Sequence, residues 1–430
     1  VSSSAASDVY KRQLLAFADL IVGVSNDAVN FLNSAIGSKV LSFKTLMIIA
    51  SLGVFVGCVY SSGMMEVARK GIFNPGEFLF NEIMIIFMAV MITDILILDL
   101  FNSWGLPTST TVSIVFELLG ASVAMALIKI GVDNGSFTDL ATYINTSKAT
   151  QIILGILLSV FVAFSIGAIV QWVSRLLLSY DFKTKATWVG AIFGGIALTA
   201  ISYFVLMKGI KGTSYAGESF DLIGGVTIKD FLESNVITIV TYSSIIWSLI
   251  SFFLIRFFNV DIYKVIIGAG TFALALAFAG NDLVNFIGVP IAAWQSYEAW
   301  VVSGVAAKEF SMQVLASKVP TPNFLLIIAG IVMVVTLWFS KKARRVVKTE
   351  IDLSTQGQVS ERFNPNFLSR FIVMIGSSMS TIFSKILPSS VKKTIEKRFE
   401  VPEILTSKID TSDRPAVSYT HLTLPTMIRV

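Results

Sequence analysis

Three polar side chains, Asn26, Asp27 and Asn30, stand inside an otherwise apolar stretch near the N-terminus, in the segment SNDAVNFLN. Asn26 and Asn30 are four positions apart, so on a helix they share a face, with Asp27 one position round. Two amide oxygens and one carboxylate can converge on a hard cation such as Na⁺. The alternative is that these groups form hydrogen bonds that hold a helix bundle together. The spacing therefore predicts a cation site or a polar contact between helices.

The same pattern occurs a second time, at Asn281, Asp282 and Asn285, where N-D-L-V-N-F matches N-D-A-V-N-F at five of six positions. An Asp at the centre of an apolar helix costs about 2.5–3.5 kcal/mol on insertion scales. Two matched copies favour ion binding, because polar breaks at corresponding positions of an inverted repeat mark a shared midplane site. We therefore expect the two segments to lie antiparallel near the middle of a membrane, with helix breaks at or beside Asn26 and Asn281.

A run of hydroxyl side chains follows in the segment GLPTSTT, which supplies Ser109, Thr110 and Thr111. Pro is favoured in the first turn of a helix, and Ser and Thr are good N-caps, so one interpretation is simply that a helix starts here. Successive hydroxyls beside the unpaired N–H groups of a helix N-terminus also make a neutral cradle for an anion. We favour the anion cradle because the same chain carries the repeated N-D-x-x-N pattern.

Together these motifs resemble those of the inorganic phosphate transporter (PiT) family of cation–phosphate symporters. That family carries G-A-N-D-V-A-N and P-[VT]-S-T-T in each of two inverted halves, and the resemblance covers most of residues 14–340. It implies an all-α polytopic membrane protein with inverted-topology repeats and broken helices at a midplane site. It also implies a secondary transporter rather than an enzyme, without a cofactor, in the inner (plasma) membrane of the cell.

The resemblance also implies roles for the residues that match the family's motifs. Two departures accompany it: V-S precedes the first N-D where the family has G-A, and no second P-x-S-T-T follows the second N-D-x-x-N. We therefore expect a truncated chain whose second repeat is incomplete. The implied phosphate-binding residues are Ser109, Thr110, Thr111, Asn26 and Asn281, and the implied cation-binding residues are Asp27, Asn30, Asp282 and Asn285.

Charge balance favours coupled transport over a channel or a uniporter. Phosphate is an anion, the motifs contain no Lys or Arg, and they add the charges of Asp27 and Asp282. An anion does not enter a site of low dielectric constant unpaired, so bound cations must compensate. Na⁺ is preferred, because carboxylate and amide oxygens bind it well and the chain has one His, His421, near its end. Asp and Glu side chains leave H⁺ coupling open.

The composition is that of a polytopic membrane protein. Hydrophobic residues make up 54% of the 430 residues and charged residues 14%, against about 25% charged in soluble domains. One Cys, Cys58, excludes an internal disulfide and a thiolate metal cluster. The basic KKARR at 341–345 is expected in the cytoplasm by the positive-inside rule, and no nucleic-acid partner is needed to explain it. Apolar runs long enough to span occur near 14–36, 44–63, 79–101, 106–130, 149–180, 186–207, 235–258, 264–292 and 324–340.

The chain divides into several parts by pattern. Residues 1–13 and 417–430 look like translated adapter sequence and are expected to be non-native ends. A basic cytoplasmic segment at 341–416 contains amphipathic pieces that could lie on the lipid bilayer surface, and a homo-oligomer is left open. The remaining parts are a first inverted repeat at 14–131, further transmembrane helices at 132–258, and the start of a second inverted repeat at 259–340.

Other readings follow from the same residues. Asp94, Asp99 and Glu117 flank the hydroxyl run, and they are either cation or proton sites or structural partners of nearby hydroxyls. A symporter of another oxyanion such as sulfate fits the motif chemistry equally well. A membrane-embedded hydrolase with Ser109 as nucleophile fits poorly, because the apolar spans offer no His or suitable Lys as base and only an acid such as Glu117.

Overall fold

The computed structural model describes residues 3–60, 72–180, 182, 185, 187–211, 217–219, 225–316, 322–353, 366–386 and 388–399. These residues form helices joined by short connections, with isolated β-bridges and no extended sheet among them. The all-α expectation is therefore confirmed. The residues of the expected non-native tail at 417–430, which include His421, lie outside the described part of the chain.

The apolar runs of the sequence correspond to helices. Seven helices in the described part are long and apolar enough to cross a membrane, and a bent pair makes an eighth candidate span. A shorter apolar helix, Phe43–Val59, packs with them. In chain order the helices are α1 (Ser3–Gly37), α2 (Phe43–Val59), α3 (Phe80–Trp104), α4 (Thr110–Val132), α5 (Thr146–Leu178), α6 (Thr187–Lys211), α7 (Val236–Phe258), α8 (Ile262–Ser303), α9 (Asn323–Phe339), α10 (Lys341–Leu353), α11 (Phe367–Ile386) and α12 (Ser389–Phe399).

Short helical turns fill the connections between these helices. Two are α-helical, Leu140–Tyr143 and Ile228–Ser234, and three are 3₁₀ turns, Pro75–Glu77, Phe137–Asp139 and Met312–Ala316. The helix α5 exposes most of its apolar surface, and α7 exposes one apolar face while its other face packs on α6. Such surfaces are stable against lipid and not against water, so the multi-pass membrane fold follows from the helices themselves.

The helices α3 and α4 form an antiparallel hairpin. At its open end, the Lys129 ammonium near the end of α4 lies 2.9 Å from the carboxylate of Glu82 in the first turn of α3. At its closed end, the five residues Gly105–Ser109 turn the chain, and Gly105 adopts the left-handed conformation with φ 68°. This segment, called the hairpin tip below, meets α1 beside Asn26, near the midpoint of the 24-residue apolar span Leu14–Gly37. The tip therefore ends inside the bundle.

The helices α1 and α8 run antiparallel through the middle of the molecule. The rings of Phe31 and Phe278 lie 6.4 Å apart, and a Cβ added to Gly23 would strike the ring of Phe286. As residue numbers rise along α1, the numbers of the contacting residues on α8 fall, so the two helices are antiparallel. The two N-D-x-x-N segments therefore lie side by side. The predicted antiparallel approach of these segments is confirmed.

The expected helix breaks are wrong. The helix α1 continues through Asn26 from Ser3 to Gly37, and α8 continues through Asn281 from Ile262 to Ser303. Within α8, Pro290 removes one ladder hydrogen bond but does not end the helix. The physical reason is that Asn26, Asp27, Asp282 and Asn285 find partners across the bundle, so their own backbone need not unwind. The irregular backbone at this level belongs to the hairpin tip instead.

Close packing of α2 on α8 depends on two glycines in the pattern G-x-x-x-G. A Cβ at Gly53 would come within 2.8 Å of the Ala275 methyl group, and one at Gly57 would strike the carbonyl of Leu276. Small residues at this spacing let helix backbones approach closely in membranes. This contact holds α8, with its polar motif, against the rest of the core.

We predict that Gly57→Ala lowers stability by about 1–3 kcal/mol, the usual cost of an overpacked core, because the new methyl group must displace backbone of α8. Thermal unfolding in detergent, followed by circular dichroism, measures the loss. Gly120→Ala in α4 is the matched control, since a Cβ there meets nothing within 4 Å. Equal melting temperatures for Gly57→Ala and Gly120→Ala would contradict the packing described here.

After α9 the chain bends by 65° at Ser340 and continues as α10. The apolar face of α10, with Ala343, Val346 and Val347, packs into the core beside α1. Farther along, α12 returns to α5, where the Arg175 guanidinium lies 4.8 Å from the ring centroid of Phe399. The basic segment after residue 340 is thus in part built into the bundle.

Candidate substrate and ion site

Asn26 clamps the hairpin tip to α1. Its amide NH₂ donates to the side-chain oxygen of Asn102 at 2.8 Å and to the carbonyl of Leu106 at 3.1 Å. Its amide oxygen accepts from the backbone N–H of Thr108 at 2.8 Å. Asn26 is fully buried, and both of its donor hydrogens are used within the protein. Its geometry is that of a residue that positions the tip.

Asn102 is a second clamp, and the sequence reasoning missed it. Its NH₂ group donates to the carbonyl of Val22 on α1 at 2.7 Å while its oxygen accepts from Asn26. Asn102 is fully buried at the end of α3. The signal that could have found it is an amide at the end of an apolar run, three positions before the Gly-Leu-Pro turn begins.

The hydroxyl run lies at the N-terminus of α4, as predicted. Ser109 is the N-cap, and its Oγ accepts from the backbone N–H of Val112 at 3.3 Å. Thr110 and Thr111 begin the first turn of the helix. Pro107 precedes the N-cap by two residues and is therefore outside that turn, contrary to the expectation. The side chains of Ser109 and Thr111 are accessible to solvent, and that of Thr110 is buried.

The hydroxyl groups join the two N-D-x-x-N motifs. On one side, the Thr110 hydroxyl lies 3.2 Å from a carboxylate oxygen of Asp27, which is 5% exposed. On the other side, the amide NH₂ of Asn285 lies 3.3 Å from the same Thr110 hydroxyl and 3.0 Å from that of Thr111. One hydroxyl therefore touches both motifs, although Thr110 is 83 residues from Asp27 and 175 residues from Asn285 in the chain.

Asp282 lies at the more open end of this cluster. The Thr111 hydroxyl is 3.4 Å from its carboxylate, and the Asn285 amide is 3.3 Å from the same oxygen. Asp282 is half-buried, and its charge acts repulsively on that of Asp27. Two carboxylates, an amide and two hydroxyls thus face one another without a Lys or Arg in either motif or in the tip. This donor set can accept a cation.

Two predicted residues are not brought to the tip. Asn30 is exposed and Asn281 is half-buried, and in the described part of the chain neither forms a hydrogen bond with the tip. Because α1 is unbroken, Asn30 lies about 6 Å farther along its axis than Asn26. Their sequence spacing put Asn26 and Asn30 on one face, but only Asn26 reaches the tip. The roles of Asn30 and Asn281 stay predictions.

The basic helix α10 supports the tip from outside. The Ser340 hydroxyl at the bend lies 2.8 Å from that of Ser25, and the Arg345 guanidinium donates to the carbonyl of Ser103 at 2.7 Å. The stem of Arg345 also lies against Gly105, at the position that a Cβ would occupy. One turn earlier, Lys342 pairs with Asp99 of α3. The sequence predicted a cytoplasmic segment here and not a support for the site.

We predict that Arg345→Ala raises the KM for transported substrate about two- to tenfold, because a solvent-accessible hydrogen bond contributes about 0.5–1.5 kcal/mol. Concentration-dependent uptake into proteoliposomes measures it. Arg344→Ala is the matched control, since that side chain points away from the tip, bonds the carbonyl of Trp338 and lies over the ring of Phe43. If both variants change KM equally, Arg345 does not position the tip.

A sequence model described as the phosphate transporter family matches residues 23–391. A candidate phosphate permease of Pyrococcus abyssi is 26% identical over 360 residues, covering 82% of this chain and 79% of that protein. A candidate phosphate permease of Thermococcus kodakarensis is 25% identical over 371 residues, with 82% and 79% covered.

A solved structure, titled "The sodium-dependent phosphate transporter", has a similar fold. The match has a TM-score of 0.55 at 18% identity and covers 98% of this chain and 88% of that chain. At this identity the likeness shows the fold alone. The matched region of the sequence model begins at residue 23 and therefore includes both N-D-x-x-N motifs and the hydroxyl run.

Proposed function

Because this chain belongs to the phosphate transporter family, we propose that it couples the movement of inorganic phosphate to that of a cation, with Na⁺ as the preferred coupling ion. The family is one of transporters and not of enzymes. The observation that carries the coupling proposal is the Thr110 hydroxyl, which contacts Asp27 of one motif and Asn285 of the other. Groups suited to an anion and groups suited to a cation therefore meet at one place.

Phosphate is proposed to bind at the N-terminus of α4. The hydroxyl groups of Ser109, Thr110 and Thr111 can donate to its oxygens, and the first-turn N–H groups and the helix dipole favour negative charge there. Asn26 acts by holding the tip in place, because both of its amide hydrogens are used. Asn281, on the half-buried face of α8, is proposed to approach phosphate from the other motif.

The cation is proposed to bind between the two motifs. Asp27 and Asp282 supply charge, and Asn285 and Asn30 supply amide oxygens. The carboxylates repel one another, so a cation between them relieves repulsion before phosphate arrives. Its charge then offsets that of the incoming anion, which has no Lys or Arg to meet in either motif. Binding of each ligand thereby favours the other, which is what coupled transport requires.

The charges of the chain also support an orientation in the plasma membrane. By the positive-inside rule the basic start of α10 faces the cytoplasm. The α3–α4 hairpin begins and ends on the same side of the membrane, whether or not it crosses the membrane fully. It therefore does not change the direction in which the later helices cross. We therefore propose that the open end of the hairpin lies outside and that α10 lies on the cytoplasmic side of the tip.

Uptake by the full-length protein in proteoliposomes tests the proposal. Labelled phosphate is offered under an inward Na⁺ gradient, an inward K⁺ gradient, or a proton gradient, with unlabelled sulfate as competitor. We expect the Na⁺ gradient to drive accumulation, K⁺ to fail, and sulfate not to compete. Equal uptake with Na⁺ and K⁺ would contradict Na⁺ coupling, and inhibition by sulfate at phosphate-like concentrations would favour a general oxyanion carrier.

We predict that Ser109→Ala weakens apparent phosphate affinity about ten- to a hundredfold, since a hydrogen bond to a charged ligand is worth about 1.5–3 kcal/mol. The affinity is measured as the phosphate concentration that gives half-maximal uptake. Ser42→Ala is the control, because Ser42 caps α2 through Thr45 in the same way but lies at another helix. If both variants lose only stability, Ser109 is a cap and not a ligand.

A further inference from the structure

Three acidic side chains from three helices meet inside the bundle, apart from the N-D-x-x-N motifs. Asp19 of α1 is 1% exposed, Asp94 of α3 is 0% exposed, and Glu117 of α4 is half-buried. The Asp94 carboxyl group lies within reach of those of Asp19 and Glu117. We call these three residues the carboxyl triad. The proposed function gives it no role.

The triad contains buried oxygens without donors. No described group donates a hydrogen bond to either carboxylate oxygen of Asp94, to Oδ1 of Asp19 or to Oε2 of Glu117. The nearby Ser113 hydroxyl gives its hydrogen to the other oxygen of Glu117 at 2.7 Å. A buried acceptor without a donor is costly, and neighbouring carboxylates repel one another. A proton held between two carboxyl groups removes both penalties, because it turns one acceptor into a donor.

The surroundings favour a proton over a metal ion as the ligand. Among the described residues no group of three or more His, Cys, Asp or Glu side chains has a spacing suited to a metal ion. Asp27 is a further charged group near the triad, since its charge interacts with that of Asp94. The face of α8 that packs against α3 here is apolar, with Val289 and Ala292.

A cavity connects the triad to the proposed phosphate site. It has a volume of about 540 Å³ and lies between α3 and α4. Its lining includes Ser109 at the helix N-terminus, Ser113 one turn farther along, and Glu117 another turn on. Most of the lining is apolar, but Thr93, Thr108, Ser109, Ser113 and Glu117 supply polar groups that can bond water in a cavity of this size. Glu117 is therefore the member that can exchange a proton with the cavity, while Asp19 and Asp94 hold it in the interior.

We propose that the carboxyl triad is a proton-binding site, loaded and unloaded through this cavity, by which a proton gradient contributes to phosphate uptake. The proton passes between a carboxyl group and water in the cavity, so no other reactant is needed. This inference rests on the proposed transport function but adds a second coupling ion at a separate place. The Na⁺ ligands between the two motifs are not part of it.

The test separates proton-driven from Na⁺-driven uptake by the full-length protein in proteoliposomes. One arm applies an inward proton gradient with equal Na⁺ on both sides, and the other applies a Na⁺ gradient at equal pH. We expect Asp94→Asn and Glu117→Gln to lose the several-fold stimulation by the proton gradient and to keep Na⁺-driven uptake. The control, Asp133→Asn at the exposed end of α4, keeps both.

Each outcome decides between the two proposals. Proton stimulation that is absent from the unmodified protein, or that persists in both triad variants, overturns the proton site. If the unmodified protein shows no Na⁺-driven uptake of phosphate, the proposed function is overturned instead. Infrared difference spectra of the unmodified protein, recorded across a pH step, distinguish proton binding by the triad from a purely structural role. We expect a carboxylic acid C=O band that is weakened in Glu117→Gln, and no pH-dependent carboxyl band would also overturn the proposal.

Discussion

Replacing Asp27 or Asp282 by Asn is expected to reduce Na⁺-driven phosphate uptake to the level of empty vesicles. Asn has nearly the size and polarity of Asp, so the Thr110 hydroxyl can still bond position 27 and the Asn285 amide can still approach position 282. What the exchange removes is the charge that attracts the coupling cation. Because an Asp costs about 2.5–3.5 kcal/mol at the centre of an apolar helix, a purely structural amide would serve packing at lower cost.

The measurement is the Na⁺ dependence of the initial rate of uptake, with expression and melting temperature recorded for each variant. Asp261→Asn is the control, since Asp261 caps the start of α8 through the N–H of Tyr263, and Asn caps a helix as well as Asp. If Asp27→Asn or Asp282→Asn keeps the normal rate and the normal Na⁺ dependence, that Asp is not a coupling ligand. Its motif is then better explained as a polar contact between helices.

Replacing Asn26 by Asp is expected to abolish transport by releasing the hairpin tip. The oxygen that accepts from Thr108 remains, but the NH₂ group becomes an acceptor facing the carbonyl of Leu106 and the side-chain oxygen of Asn102. Two buried hydrogen bonds become repulsive contacts, and each unsatisfied buried group costs about 1–3 kcal/mol. The hydroxyl groups that follow the tip then lose their position between the two motifs.

The readouts are uptake and the protease sensitivity of the segment around residue 106. Asn33→Asp is the matched control on the same helix, because the Asn33 side chain makes a local bond to the N–H of Ser34. We expect that control to transport normally. If the Asn26→Asp protein transports at the normal rate, the contacts between Asn26 and the hairpin tip are not needed for transport. The phosphate-binding role that the sequence resemblance implies for Asn26 would then require a geometry different from the one described above.

The helices and the repeat could be predicted from the sequence because their signals are local. Apolar runs of sufficient length define membrane helices, and a polar pattern repeated at Asp27 and Asp282 is visible without knowledge of any contact. The antiparallel approach of α1 and α8 followed from counting crossings between these two positions. The placement of Ser109 at a helix N-terminus followed from the capping preference of Ser beside Thr.

The parts that failed depend on contacts between distant segments. The predicted breaks at Asn26 and Asn281 assumed that polar groups in an apolar helix must be served by their own backbone. In the structure, Asn26 is served by the hairpin tip, about 80 residues away in the chain. Either of two neighbouring segments can supply the hydrogen-bond partners that the other lacks. The local sequence does not show which of the two will have the irregular backbone.

The support by α10 was missed for a similar reason. A run of Lys and Arg after an apolar helix is the usual mark of a cytoplasmic boundary, and that explanation left Arg345 without a specific partner. Its contact with the carbonyl of Ser103 requires the 65° bend at Ser340, where the backbone is extended and the Ser340 hydroxyl accepts from the N–H of Ala343 at the start of α10. Asn102 escaped notice because a single amide at a helix end carries little information.

The most direct test of the account is to follow labelled Na⁺ and labelled phosphate together in the same proteoliposomes. Coupled transport predicts that an inward phosphate gradient drives Na⁺ into the vesicles when the Na⁺ concentration is initially equal on both sides. It also predicts that both fluxes disappear together in Asp27→Asn and Asp282→Asn. Phosphate uptake without accompanying Na⁺ entry in the unmodified protein would contradict Na⁺ coupling at the site between the two motifs.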